Sequence, residues 1–89
     1  MNRTDIYNAI DAERVRQAER VRQAELWNKD HDWGWGDCSS PALPTPVKVA
    51  VLTEEVGEVA RAALEHDTDG LRLELVQVAA IAVAWLEAL

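Results

Sequence analysis

Cys38 is the only cysteine in the chain. No intramolecular disulfide and no multi-cysteine zinc site can form within one copy, and a reduced, cytoplasmic setting is the expectation (the host cytoplasm for a phage-encoded chain). Cations are also scarce, with 9 Lys and Arg against 16 Asp and Glu and a formal net charge of -7. Sequence-independent binding of a nucleic-acid polymer needs clustered cations that displace counterions, so the charge balance argues against that class. Nucleotides are not excluded, because a divalent cation can sit between an acidic pocket and a polyphosphate. No strand pattern occurs anywhere, which makes the class all-α. The N-terminal "MNRTDIYNAI" is polar and lacks the apolar centre of a signal peptide. The apolar tract "LVQVAAIAVAWLEAL" is interrupted by Gln77 and Glu87 and is too short to span a bilayer. A buried helix, with no membrane partner, is the better reading.

What is present is a chain of 89 residues, 48% of them hydrophobic. A single domain of this size, residues 1–89, buries only about 60–65% of its unfolded surface. Ample apolar surface on so small a domain predicts self-association: a three-helix protomer within an oligomeric helical bundle. All three prolines fall in "DHDWGWGDCSSPALPTP", residues 30–46, together with Gly34 and Gly36, so a loop is predicted over 30–45. Helices are predicted at about 5–28, 46–66 and 70–88. Thr4 or Asp5 is the expected cap of the first, and Thr45 of the second, with Pro46 at its first position. Asp67, Thr68 or Asp69 is the expected cap of the third.

Helix one contains the tandem repeat "AERVRQ" at 12–17 and 18–23. Six residues turn a helix by about 600°, so Val15 and Val21 cannot share a face. The repeat reads as a duplication that lengthens the helix by about 9 Å, without a function of its own.

Helix two holds "LTEEVGEVARA", residues 52–62. With Glu54 at zero and about 100° per residue, the apolar arc runs from about 60° at Val51 to about 240° at Ala60. Glu55 falls inside this arc, Glu58 at its margin and Glu54 just outside. A buried unpaired charge costs several kcal/mol, and three carboxylates also repel one another. Lys48, on the same side, can serve one acid; a divalent cation serves all, and Glu55 and Glu58, three apart, can ligate one Mg²⁺. In helix three, Glu74 and Gln77 form a polar notch, and antiparallel packing would set that notch opposite Glu55 and Glu58. The alternative for the three acids is a solvated face supported by Arg61. For Glu74 it is a pair with Lys48 or another basic residue, and for Gln77 a hydrogen bond within the core. His31 and His66 read as solvated, and Trp27, Trp33, Trp35 and Trp85 as packing.

"EEVGE" has the form EExxE and is followed on the next helix by "ELVQ". With "WGWGDCSSPA…KVAVLTEEVGEVARA", these residues resemble the MazG-like all-α nucleoside triphosphate pyrophosphatases, particularly the small single-domain members of phages and bacteria, over about residues 25–89. The resemblance implies a Mg²⁺-dependent hydrolase, with Mn²⁺ as a substitute, that converts a nucleotide to a nucleoside monophosphate and pyrophosphate. It implies assembly as a homodimer or homotetramer. Glu54, Glu55, Glu58 and Glu74 would bind metal, with Glu55 or Glu58 orienting or deprotonating water. Gln77 stands where the family has an Asp, as a substitute neutral ligand. Lys48 would meet the phosphates, and Trp33, Asp37, Ser39 and Ser40 the base. The competing expectation is a non-catalytic helical dimer that binds or sequesters a nucleotide, favoured by Gln77. A third is a purely structural helix bundle.

Overall fold

The computed structural model describes the backbone of residues 1–27 and 37–89, and the side chains of residues 1–20 and 37–89. Among these, three helices are present and no strand: α1 Arg3–Trp27, α2 Thr45–Leu64 and α3 Thr68–Glu87. The all-α class is as expected. Predicted features at His31, Trp33, Gly34, Trp35 and Gly36, and at the side chains of Val21 and Trp27, lie outside the described residues.

The helix ends show how local chemistry chose them. The Asn2 side chain accepts the Asp5 N–H at 2.8 Å, so Asn2 caps α1 in place of the expected Thr4 or Asp5. Pro44 occupies the cap position of α2, where no side chain bonds the first turn. Thr45 is therefore already helical, a correction to its predicted capping role, and Pro46 sits in the first turn, where its missing N–H costs nothing. Asp67 caps α3 by accepting the Gly70 N–H at 2.9 Å, one of the three caps expected. An added Cβ at Gly70 would fall 2.2 Å from this carboxylate, so glycine there keeps the cap in place.

Between α2 and α3 the chain turns at His66, whose φ is 56°. Asp67 N–H reaches Ala62 C=O at 3.0 Å, and His66 N–H reaches Ala63 C=O at 3.2 Å. This doubly bonded helix end closes best around a left-handed residue, a role usually given to glycine. The turn reverses the chain and makes α2 antiparallel to α3.

α3 is the central element. α2 packs along it antiparallel, with Leu43, Cys38, Ile81 and Ala84 as the buried core and Val47, Val51 and Leu52 against it. α1 runs parallel to α3: Ile6 and Ile10 share a groove with Arg72 and Ala79, and Arg14 reaches Glu87 near the far end. Among the described residues α1 and α2 pack on α3 but not on each other, which leaves a gap between them. Helix three was expected to be buried nearly all round. Instead Leu75 and Leu86 are 51% and 68% exposed in the single chain, because only two sides of α3 are covered.

The first copy of the repeat does more than lengthen α1. Glu13 is 2% exposed; its two oxygens take Arg16 Nε at 2.8 Å and an Arg20 nitrogen at 2.9 Å. Arg14 binds Gln17 at 2.8 Å, Asp37 at 3.0 Å and Glu87 at 3.2 Å, tying α1 to the chain just before α2 and to the end of α3. Val15 is exposed.

Candidate functional site

Position on the α2–α3 pair separates the four predicted acids. Glu55 points from α2 toward α3, half-buried, where the notch of Glu74 and Gln77 receives it. With its amide oriented to match donor with acceptor, Gln77 donates to Glu55 Oε2 at 3.0 Å and to Glu74 Oε2 at 2.9 Å. Burial pushes the Glu55 carboxyl above the usual range, and the Glu74 charge adds to it. A hydrogen bond between the two carboxyls, which needs one of them protonated, acts in the same direction, as do the charges of Glu54 and Glu58.

The remaining two acids stand apart. Glu58 is ion-paired with Arg61, one turn on, and Glu54 is exposed to solvent. The solvated alternative thus describes these two, while Glu55 and Glu74 meet as the antiparallel packing demands. Among the described residues no three Asp, Glu, His or Cys side chains are gathered closely enough to hold a metal ion. Two carboxylates and the neutral amide of Gln77 are what the cluster offers. These are hard oxygen donors of the type Mg²⁺ takes, and a single ion shared with a substrate's phosphates needs only one or two protein carboxylates. Of the four acids expected to bind metal, Glu55 and Glu74 are the two joined through Gln77, and their oxygens are of the kind that could hold such an ion.

Glu55 also lines a cleft of about 310 Å³ in the gap between α1 and α2. Its apolar wall is Leu43, Val47, Val51 and Ile81, and Gln17 and Arg20 form the α1 side. Asp37 and Cys38 also line it. The volume falls within the range of about 300–1,000 Å³ typical of small-molecule sites.

Asp37 is committed to the architecture of the cleft. One of its oxygens accepts the Ser39 N–H at 2.8 Å and the Ser39 hydroxyl, and the other accepts Arg14 at 3.0 Å. Burial alone would raise this carboxyl; the Ser39 hydrogen bonds and the Arg14 charge outweigh burial and hold it below the usual range. Ser40 accepts the Ala42 N–H at 3.2 Å. Of the predicted base-binding residues Asp37, Ser39 and Ser40, only Asp37 lines the cleft, and all three are spent on the turn. Trp33 lies outside the described residues.

Lys48 is 4% exposed and is not part of the cleft wall, so its expected meeting with phosphates has no support here. Among the described residues it forms no ion pair with a carboxylate, Glu74 included. Its charge acts on Cys38 instead. Burial first, then Asp37, pushes that thiol up, opposed by Lys48 and Arg14. Among the described residues the cation lining the cleft is Arg20, which sequence reasoning missed along with Gln17. The available signal was spacing: Glu13, Arg16 and Arg20 lie at i, i+3 and i+7 on one helix face.

Compared with family models, curated proteins and solved structures, the chain finds no match in any of the three. Among the described residues no helix is long and apolar enough to cross a membrane.

Proposed function

We propose that the chain is a divalent-metal-dependent nucleoside triphosphate pyrophosphohydrolase that releases a nucleoside monophosphate and pyrophosphate. The observation that carries this reading is the meeting of Glu55 and Glu74 across two helices, with Glu55 also lining a cleft that Arg20 lines. Structural cores rarely oppose two carboxylates without a cation to reconcile them.

Glu55 and Glu74 would hold the metal, with the Gln77 amide as a neutral partner. When bound, the ion neutralises phosphate oxygens and lowers the pKa of a coordinated water. Glu55 reaches both the cluster and the cleft, so its carboxylate is the one placed to orient the water and take its proton. Arg20 supplies positive charge for the phosphate tail, although it shares that charge with Glu13. Leu43, Val47, Val51 and Ile81 exclude water from the apolar part of the ligand.

Product analysis with Mg²⁺ and a panel of triphosphates tests this. Monophosphate plus pyrophosphate is the expected outcome, and diphosphate plus inorganic phosphate contradicts it. A non-catalytic nucleotide-binding dimer is the second reading, favoured by the neutral Gln77 and by the engagement of Glu58 with Arg61. Saturable binding without turnover would select it.

A further inference from the structure

Gln17 and Arg20 form the α1 side of the cleft. With Glu13 at zero and about 100° per residue, Gln17 falls at about 40° and Arg20 at about 340°, so the three share one stripe of α1. Each cleft residue is held by a neighbour on its own helix. Arg14 donates to Gln17 Oε1 at 2.8 Å. A guanidinium only donates, so the amide is fixed with its oxygen toward Arg14 and its Nε2 as the free end. Among the described residues nothing accepts from that nitrogen.

Arg20 is held by Glu13, which takes one of its nitrogens at 2.9 Å. Glu13 also pairs with Arg16, and one carboxylate against two guanidinium groups leaves one positive charge. Arg20 is therefore oriented without being neutralised. The tandem repeat accounts for the different duties of the two arginines. Arg14 and Arg20 hold the same place in the two copies of "AERVRQ", yet six residues set them about 120° apart on the helix. Arg14 ends on Asp37 and Glu87, where it serves the fold, and Arg20 on the cleft.

The α1 wall thus offers N–H donors and a net positive charge, and its one acceptor, Gln17 Oε1, is already taken by Arg14. A neutral carbonyl would meet the donors but not the charge; a phosphoryl oxygen meets both. Residues three apart on a helix have Cβ atoms about 5–6 Å apart, close enough for both side chains to reach one phosphoryl group. We propose that Gln17 is a phosphate-binding residue of the cleft, its Nε2 donating to the phosphoryl group that Arg20 also binds. That the anion is a polyphosphate rests on the pyrophosphohydrolase reading; the contact itself requires no turnover.

Calorimetric titration with inorganic tripolyphosphate in Mg²⁺ buffer tests the contact in the absence of a base. Gln17→Glu keeps the acceptor for Arg14 and removes the donor toward the ligand; Gln17→Met removes the donor without adding charge. Both should weaken tripolyphosphate binding about tenfold, the loss of one hydrogen bond to a charged group. Where turnover is present, KM should rise by the same factor for purine and pyrimidine triphosphates alike. Wild type that does not bind tripolyphosphate would overturn the contact. So would unchanged affinity in Gln17→Met, since a loss confined to Gln17→Glu reflects added charge alone. A penalty that depends on the base, with tripolyphosphate affinity intact, would make Gln17 a reader of the base and overturn it too. Tripolyphosphate binding that depends on Gln17 in a chain without turnover leaves the contact standing and removes the pyrophosphohydrolase reading; turnover whose KM ignores Gln17 does the reverse.

Discussion

Glu55 on α2 and Gln77 on α3 meet at 3.0 Å, and the same Gln77 amide reaches Glu74 at 2.9 Å. A neutral donor between two acids is how the cluster tolerates its charge without metal. It also makes the cluster's response to substitution and to pH specific enough to predict.

Glu55→Gln should stabilise the metal-free protein at neutral pH while abolishing hydrolysis. The Glu55 carboxyl is held above its usual value by burial and by Glu74, so the folded state binds this proton more tightly than the unfolded state does. Wild-type stability then falls as pH rises from the ordinary glutamate value through the raised one, and Gln escapes that loss. Urea unfolding of both forms at neutral and acidic pH is the check: the variant's advantage should shrink on acidification. A variant less stable than wild type at neutral pH would refute this.

Gln77→Glu moves the cluster the other way. A third carboxylate without a counter-charge should lower metal-free stability and raise Mg²⁺ affinity, so that added Mg²⁺ shifts the thermal midpoint further than in wild type. Equal shifts in the two proteins would argue that position 77 does not face the ion.

Glu13 has the opposite pH signature. Burial opposes its charge, but Arg16 and Arg20 overcome this and hold the carboxyl below its usual range. Its stabilisation is therefore full above the ordinary glutamate value and is lost as pH falls through the lowered one. Glu13→Gln should cost about 1.5 kcal/mol at neutral pH, the low end for charged hydrogen bonds because both guanidinium groups are more than half exposed. Below the folded value the two proteins should converge, as followed by denaturant unfolding.

His66→Gly tests the turn that makes α2 and α3 antiparallel. A left-handed conformation costs a residue with a Cβ about 1–2 kcal/mol, partly returned by the greater freedom of glycine in the unfolded chain. A net gain of about 0.5–1 kcal/mol is expected, seen as a rise in thermal midpoint. A fall would mean that the His66 side chain stabilises the turn.

The three helices and the Glu55–Glu74–Gln77 meeting were legible in the sequence because periodicity fixes which face each residue occupies, and Glu55 fell inside an apolar arc. Glu58 at the margin of that arc and Glu54 just outside it also lie where periodicity puts them, Glu58 paired with Arg61 and Glu54 exposed. Periodicity put Lys48 on the same side as the acids, but it does not tell a buried side chain from one that lines a cleft. The roles of Arg14 and Arg20 were hidden because α1 has no clear apolar stripe: it docks through Ile6 and Ile10 at one end and through the Arg14 ion pairs to Asp37 and Glu87 at the other. The exposed back of α3 was hidden too, since a helix apolar all round does not reveal which side its own chain leaves uncovered.

Mn²⁺ binding followed by electron paramagnetic resonance, in wild type and in Glu55→Gln, Glu74→Gln and Glu54→Gln, tests the shared-ion claim most directly. One site should be present in wild type, lost in the first two variants and kept in Glu54→Gln. Binding that survives both Glu55→Gln and Glu74→Gln, or that is absent from the wild type, would contradict it.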